Sequence, residues 1–149
     1  MKAISAVIQG QDTAVVEPGA SVLEAVQLMA DRNIGAVPVV DGERLVGIFT
    51  ERDVMSRVVA AGLDAKTTAV RDVMSPELVV ADFRDTYETC LRRMQQACVR
   101  HLIVLRDGRL AGVLSVRDLL AVELDEKDEA INLLNAYVHY IPADLARKS

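Results

Sequence analysis

Shifted by 65 positions, the sequence matches itself without a gap from Val15/Val80 to Asp53/Asp118. Identities fall at Val15/Val80, Met29/Met94, Val39/Val104, Arg44/Arg109, Leu45/Leu110, Gly47/Gly112, Arg52/Arg117 and Asp53/Asp118, and Ser21/Thr86, Ile34/Val99 and Thr50/Ser115 are like for like. Two copies with so long a period cannot form a solenoid, which stacks several short units. They specify two similar halves about a pseudo-twofold axis. Within 149 residues each half is a piece too small to offset its chain entropy by burying apolar surface alone. The halves must therefore share a core and leave two related clefts between them.

Each half reads as strand, helix, strand, strand, helix. "TAVV" (Thr13–Val16) and "ELVV" (Glu77–Val80) are short strands by residue type. Ser21 with Glu24 makes a capping box, and Val22, Ala25, Val26 and Met29 recur at helical spacing. In the second copy the helix is expected to start at Asp85 with Glu88, with Cys90, Leu91 and Met94 as its apolar stripe. Two apolar runs then flank Asp41-Gly42, and two more flank Asp107-Gly108, the dipeptide of tight hairpins. These strands are apolar on both faces, so each sheet should be covered on both sides. A closing helix follows from Glu51 to about Ala61, stopped by Gly62, and from Val116 to about Leu124. The expected class is α/β (α+β), two βαββα repeats packed through their sheets, with repeat 1 over 1–62, repeat 2 over 63–122 and a tail over 123–149.

The lead-in repeats as well: "VRDVMSP" before the second unit answers to "ISAVIQG" before the first. The tail places Ile131, Leu134, Val138 and Ile141 at three-to-four spacing, an amphipathic helix broken at Pro142. It is expected either to fold back on its own module or to join a dimer interface.

Both halves close on the same signature, "GIFTERDV" (Gly47–Val54) and "GVLSVRDL" (Gly112–Leu119). A hydroxyl residue followed three positions later by an acid is a helix cap, and that alone would account for Thr50 with Asp53 and Ser115 with Asp118. The same carboxylate can instead accept two hydrogen bonds from a vicinal diol. A motif that opens a helix also offers backbone N–H groups to phosphate. Gly47 and Gly112 read as allowing close strand–helix packing.

Several function classes recede. The net charge of −5 argues against nucleic acid as the main partner. Cys90 and Cys98 have neither disulfide-framework nor zinc spacing and read as free thiols, which with "MKAISAVIQGQD" at the start suits a cytoplasmic protein. No apolar run approaches the ~18 residues of a membrane span. There is no Walker-type glycine loop and no nucleophile–base pair, so no catalytic residue, metal ligand or enzyme activity is expected. His139 stands in the tail without ligand-like neighbours.

Taken together, "VRDVM", "IGAVPVVD", "VRHLIVLRDG", "GIFTERD" and "GVLSVRD" resemble a tandem pair of cystathionine-β-synthase (CBS) domains, a Bateman module, over about Ile4 to Leu120. The resemblance implies a stand-alone regulatory module that binds an adenosine ligand (AMP first, or ADP, ATP, NAD(H) or S-adenosylmethionine) and signals by changing shape. It implies that Asp53 and Asp118 bond ribose hydroxyls, with Thr50 and Ser115 near the ribose or phosphate. Adenine would rest on Ala14, Ile34, Gly35 and Ala36 in one half and on Val79, Val99, Arg100 and His101 in the other. The sites are expected to cross between halves: Ala14, Ile34, Gly35 and Ala36 with Ser115 and Asp118, and Val79, Val99, Arg100 and His101 with Thr50 and Asp53. Arg52 and Arg117 assist either pocket or serve as surface ion-pair partners, and His101 is either a phosphate contact or a strand histidine. The Arg100/His101 pocket is expected to take the more anionic ligand. A homodimer and an unknown regulated protein are the implied partners, and a structural dimer scaffold with vestigial pockets is the alternative.

Overall fold

The computed structural model describes residues 3–126, so the expected tail helix at Ile131–Ile141 lies outside the described residues. The elements run α1 (Ser5–Ile8), α2 (Val22–Arg32), β1 (Ala36–Asp41), β2 (Arg44–Thr50), α3 (Glu51–Asp53) continuing as a π-helical stretch (Val54–Val59), α4 (Val70–Val73), β3 (Val80–Asp82), α5 (Tyr87–Ala97), β4 (His101–Arg106), β5 (Arg109–Ser115) and α6 (Val116–Glu126). Both repeats belong to one unit that ends at Val116, and the rest of α6 belongs to a second.

The shared α2 and α5 pattern comes from shared local chemistry. Ser21 and Glu24 form the reciprocal capping box at α2. Both helices end on a non-glycine residue in the left-handed region, Asn33 at φ 53° and Cys98 at φ 55°. At α5 the cap differs from the expected Asp85/Glu88 pair: Thr86 caps the backbone N–H of Thr89. Asp85 turns instead to the Asp82 N–H at 2.9 Å and to Arg93 at 2.7 Å. An ion pair with a guanidinium outweighs a further cap bond once Thr86 has supplied the cap.

β1 and β2 form an antiparallel hairpin, as do β4 and β5, and β3 joins β4 in parallel. The two hairpins carry a register shift at the same place, after Val39 and after Val104. Their turns are not identical. Asp107-Gly108 has two positive φ angles, 52° and 77°, as a type I′ turn requires. In the first hairpin Asp41 pairs with Arg44, so the turn is Gly42-Glu43 rather than Asp41-Gly42. Gly42 at φ 64° takes the first turn position, where a type II′ turn wants glycine. The expected strand at Thr13–Val16 is reduced to a single parallel bridge, Val16 with Val39, and the second begins at Val80 rather than Glu77.

The sheet of repeat 1 is covered on both faces, as its apolar strands require. Val37, Val39 and Phe49 pack with Val22, Ala25 and Met29 of α2 and with Val70 and Val73 of α4. On the opposite face Ala36 and Ile48 meet Ile103 of repeat 2, flanked by Leu78, Leu105 and Val113. This second cluster is the shared core that neither half could supply alone.

The lead-ins are exchanged. Ser75, just past α4, exchanges two backbone hydrogen bonds with Ile48 of β2, at 3.0 and 2.9 Å. Ile4, next to α1, donates to the Asp85 carbonyl of repeat 2 at 2.9 Å. The Gln11 side chain imitates a strand residue, accepting from the Val113 N–H at 2.9 Å and donating to its carbonyl at 3.2 Å. Each repeat's entry segment thus docks on the other repeat.

Candidate functional site

Thr50 ends β2 in an extended conformation, and the chain enters α3 at the next residue. Its hydroxyl accepts from the Asp53 N–H at 3.2 Å and donates to Asp53 Oδ2 at 3.1 Å, while its own N–H donates to the same oxygen at 3.0 Å. The cap expected from the sequence is therefore present. Asp53 is the one buried charged residue among the described residues, at 5% exposure. Its other oxygen, Oδ1, accepts from the Ser75 hydroxyl at 3.0 Å and faces Arg57 Nε at 3.6 Å.

The backbone at this corner is also committed. The Glu51 N–H donates to the Gly35 carbonyl at 2.9 Å, and at the matching point of repeat 2 the Val116 N–H donates to the Arg100 carbonyl at 2.9 Å. With the Asp53 N–H held by Thr50, two of the first helical donors are spent inside the protein. Fewer backbone donors are thus left for a phosphate here, and cationic side chains of the lining stand beside them.

Gly35 has a specific reason to be glycine. A Cβ there would lie 3.1 Å from Glu51 Oε1 and 3.1 Å from both Cε1 and Nε2 of His101. The bare backbone lets the imidazole of repeat 2 and the carboxylate of repeat 1 approach the same spot.

Beside this contact opens a cavity of about 1070 Å³, at the upper end of the range for small-molecule sites. Repeat 1 contributes Thr50, Arg52, Asp53 and Gly35 to its lining, and repeat 2 contributes Val79, Val99, Arg100 and His101. Of the two expected crossed constellations, this is the one with Thr50 and Asp53. The lining also contains Glu51, Arg57, Ser75, Glu77 and Cys98, which the sequence did not single out. Arg57 and Ser75 both lie outside the repeated motif: the exchanged lead-in brings Ser75 to the site, whereas Arg57 reaches it from the same helical stretch as Asp53, four residues on, a spacing the sequence did offer. Three arginines (Arg52, Arg57, Arg100) face three acids (Glu51, Asp53, Glu77) in the lining, with His101 beside them.

The other constellation is dispersed in part. Gly35 lines the first cavity. Ala36, next along the strand, points the opposite way into the inter-repeat cluster. Ile34 borders a separate cleft of about 260 Å³ with Val26, Met29, Asn33 and Val54. Ala14 is half-buried in the irregular stretch before Val16. Ser115 ends β5 and Arg117 and Asp118 open α6, the same strand-to-helix placement as Thr50, Arg52 and Asp53.

The two thiols differ. Cys98 is exposed at the mouth of the cavity. Cys90 is buried, and burial, reinforced by Asp85 and opposed by Arg93, pushes its pKa from 9.0 up to about 11. Among the described residues there is no group of three or more metal-ligating side chains, and no helix is long and apolar enough to cross a membrane.

A family model described as the CBS domain matches residues 8–60 and again 70–125. The chain belongs to the CBS domain family. It is 34% identical over 122 residues to the CBS domain-containing protein YhcV of Bacillus subtilis, covering 82% of this chain and 86% of that one. The mitochondrial CBS domain-containing protein CBSX3 of Arabidopsis thaliana is 31% identical over 123 residues, 79% of this chain and 60% of its own length. Among solved structures, the CBS domain NE2398 is 36% identical with a TM-score of 0.79, covering 83% of this chain and 99% of that one. A putative signal-transduction protein with CBS domains from Burkholderia ambifaria is 28% identical with a TM-score of 0.81, covering 86% and 98%. The mixed α+β architecture of two CBS repeats is thus shared with these proteins.

Proposed function

We propose that this CBS pair is a regulatory, non-enzymatic module that binds an adenine nucleotide, AMP in the first instance, in the cavity between its repeats. The observation that carries the reading is the convergence of Thr50, Asp53, Val79, Val99, Arg100 and His101, drawn from both repeats, on one cavity. Apolar Val79 and Val99 offer faces to a base, the Asp53 carboxylate can accept from a ribose diol, and Arg52, Arg57, Arg100 and His101 supply cationic groups for phosphate. A ligand touching both repeats prefers one relative arrangement of them, and that preference is the signal. The solved structure of CBSX2, which shares this fold at a TM-score of 0.71 and 24% identity, is a complex with AMP. ADP, ATP, NAD(H) and S-adenosylmethionine share the adenosine group and remain in the same class. The Ser115, Arg117 and Asp118 motif is proposed as the counterpart half-site.

The test is a melting series against AMP, ADP, ATP, NAD, NADH and S-adenosylmethionine. A true ligand at ~100 times its Kd stabilises by about 2.7 kcal/mol. Silence from all six at millimolar concentration leaves the scaffold reading instead.

A homodimer is part of the proposal. Met55 and Val59, four residues apart and so on one face, are 64% and 70% exposed, and Leu63 beyond them is 44% exposed. Such an apolar row suits burial against a second copy. The structure of a CBS-CP12 protein from cyanobacteria, 28% identical to this chain, is hexameric.

A further inference from the structure

The Asp53 carboxylate has about four hydrogen-bonding directions. Two at Oδ2 are taken by the N–H and hydroxyl of Thr50, and at Oδ1 the Ser75 hydroxyl and Arg57 Nε stand at 3.0 and 3.6 Å. The group expected to receive a ribose diol thus already accepts three hydrogen bonds and lies against a guanidinium. The Thr50 bonds belong to the helix cap and cannot be given up without loosening the α3 start. The Oδ1 partners are different: Ser75 comes from the entry segment of repeat 2, and Arg57 holds that segment through a 2.8 Å hydrogen bond from Nη1 to the Met74 carbonyl.

We propose that Ser75 and Arg57 form an autoinhibitory latch on Asp53, which the diol of a nucleotide must displace. The proposal rests on the nucleotide reading of the cavity. The diol takes Oδ1, the Ser75 hydroxyl rotates away, and the Arg57 guanidinium leaves both Asp53 and the Met74 carbonyl. Arg57 already lines the cavity, so the side chain that makes the latch becomes a cation for the ligand's phosphate. The Ser75 backbone stays bonded to Ile48. What loosens is the grip of repeat 1 on Met74, at the point where the chain enters repeat 2. Occupancy is thereby coupled to the segment joining the repeats, with a strength set by the difference in affinity between latched and open states. In the sequence, Val122 stands at the repeat position of Arg57, and Gln9 stands at that of Ser75 in the lead-in, so this serine–arginine pair is not repeated in the second half.

The test uses the full chain and its Ser75→Ala variant, with calorimetric titration of AMP and 2′-deoxy-AMP and amide hydrogen exchange across residues 74–79. Removing the competing hydroxyl is expected to tighten AMP about 5-fold, the equivalent of one ordinary hydrogen bond. The gain is expected to be smaller for 2′-deoxy-AMP, which keeps only the 3′-hydroxyl. AMP is expected to speed exchange at 74–79 in the parent protein, and Ser75→Ala to do so without ligand. AMP binding equally or more weakly to Ser75→Ala, or leaving exchange at 74–79 unaltered, overturns the latch alone. Absence of AMP binding to both proteins overturns the nucleotide reading and the latch with it.

Discussion

Gly47 and Met74 meet across the boundary between repeats: a Cβ on Gly47 would fall 2.6 Å from Met74 Sδ and 3.0 Å from the Ser75 carbonyl. At the repeated position, a Cβ on Gly112 would fall 2.5 Å from Gln11 Oε1 and 3.0 Å from Ile8. Both glycines are kept by the exchanged lead-ins, each pressed on a strand of the other repeat. Gly47→Ala should cost about 1–3 kcal/mol, the usual penalty of overpacking. Gly112→Ala should cost less, because its close neighbours are all side-chain atoms, whereas Gly47 also meets the Ser75 backbone carbonyl. Urea unfolding of the two variants checks the order.

The repeat made most of this architecture legible, since each element could be read twice. The α2 capping box, the paired hairpins and the closing motifs all stand where periodicity and turn chemistry place them. The errors lie where a local rule had a competitor. Asp85 was free to cap α5, but Arg93 attracts it and Thr86 serves instead. The Asp41-Gly42 dipeptide resembled a turn, but the strand keeps Asp41. In the site, the motif residues could be named from the sequence. Ser75 could not, because nothing local says that a lead-in 22 residues away returns to Asp53; Arg57 stands at i+4 from Asp53, a local ion-pair spacing that was present but not used.

Thr50→Ala removes the side-chain half of the α3 cap and the hydroxyl bond to Oδ2. It should destabilise by ~1 kcal/mol, the ordinary worth of a cap. Asp53→Ala should be more damaging, since it also strands Ser75 and Arg57 in a part-buried setting. Chemical denaturation without ligand measures both, so that any loss of nucleotide binding can be corrected for stability.

The thiols give a pH prediction. Cys90 binds its proton more tightly folded than unfolded, with a pKa of about 11 against 9.0. Above pH 9 the unfolded chain therefore holds fewer protons than the folded one. The stabilising contribution of the neutral thiol is complete below pH 9 and is lost as pH rises towards 11. Cys90→Ala should flatten that decline in a denaturation series. At pH 8 a thiol reagent should label Cys98 quickly and Cys90 only on unfolding, and AMP should slow the labelling of Cys98.

If the Met55/Val59 face seals a dimer, Met55→Glu with Val59→Glu should yield monomers with the secondary structure intact. Sedimentation equilibrium distinguishes the outcomes, and an unchanged mass would move the dimer contact elsewhere.

The central claim is that the cavity between the repeats holds an adenine nucleotide. An amide NMR spectrum titrated with AMP tests it most directly. Shifts at Gly35, Arg52, Asp53, Val99, Arg100 and His101, from both repeats and following one binding curve, are the predicted result. A titration to millimolar AMP that moves none of these amides, or moves only resonances away from this cavity, would contradict it.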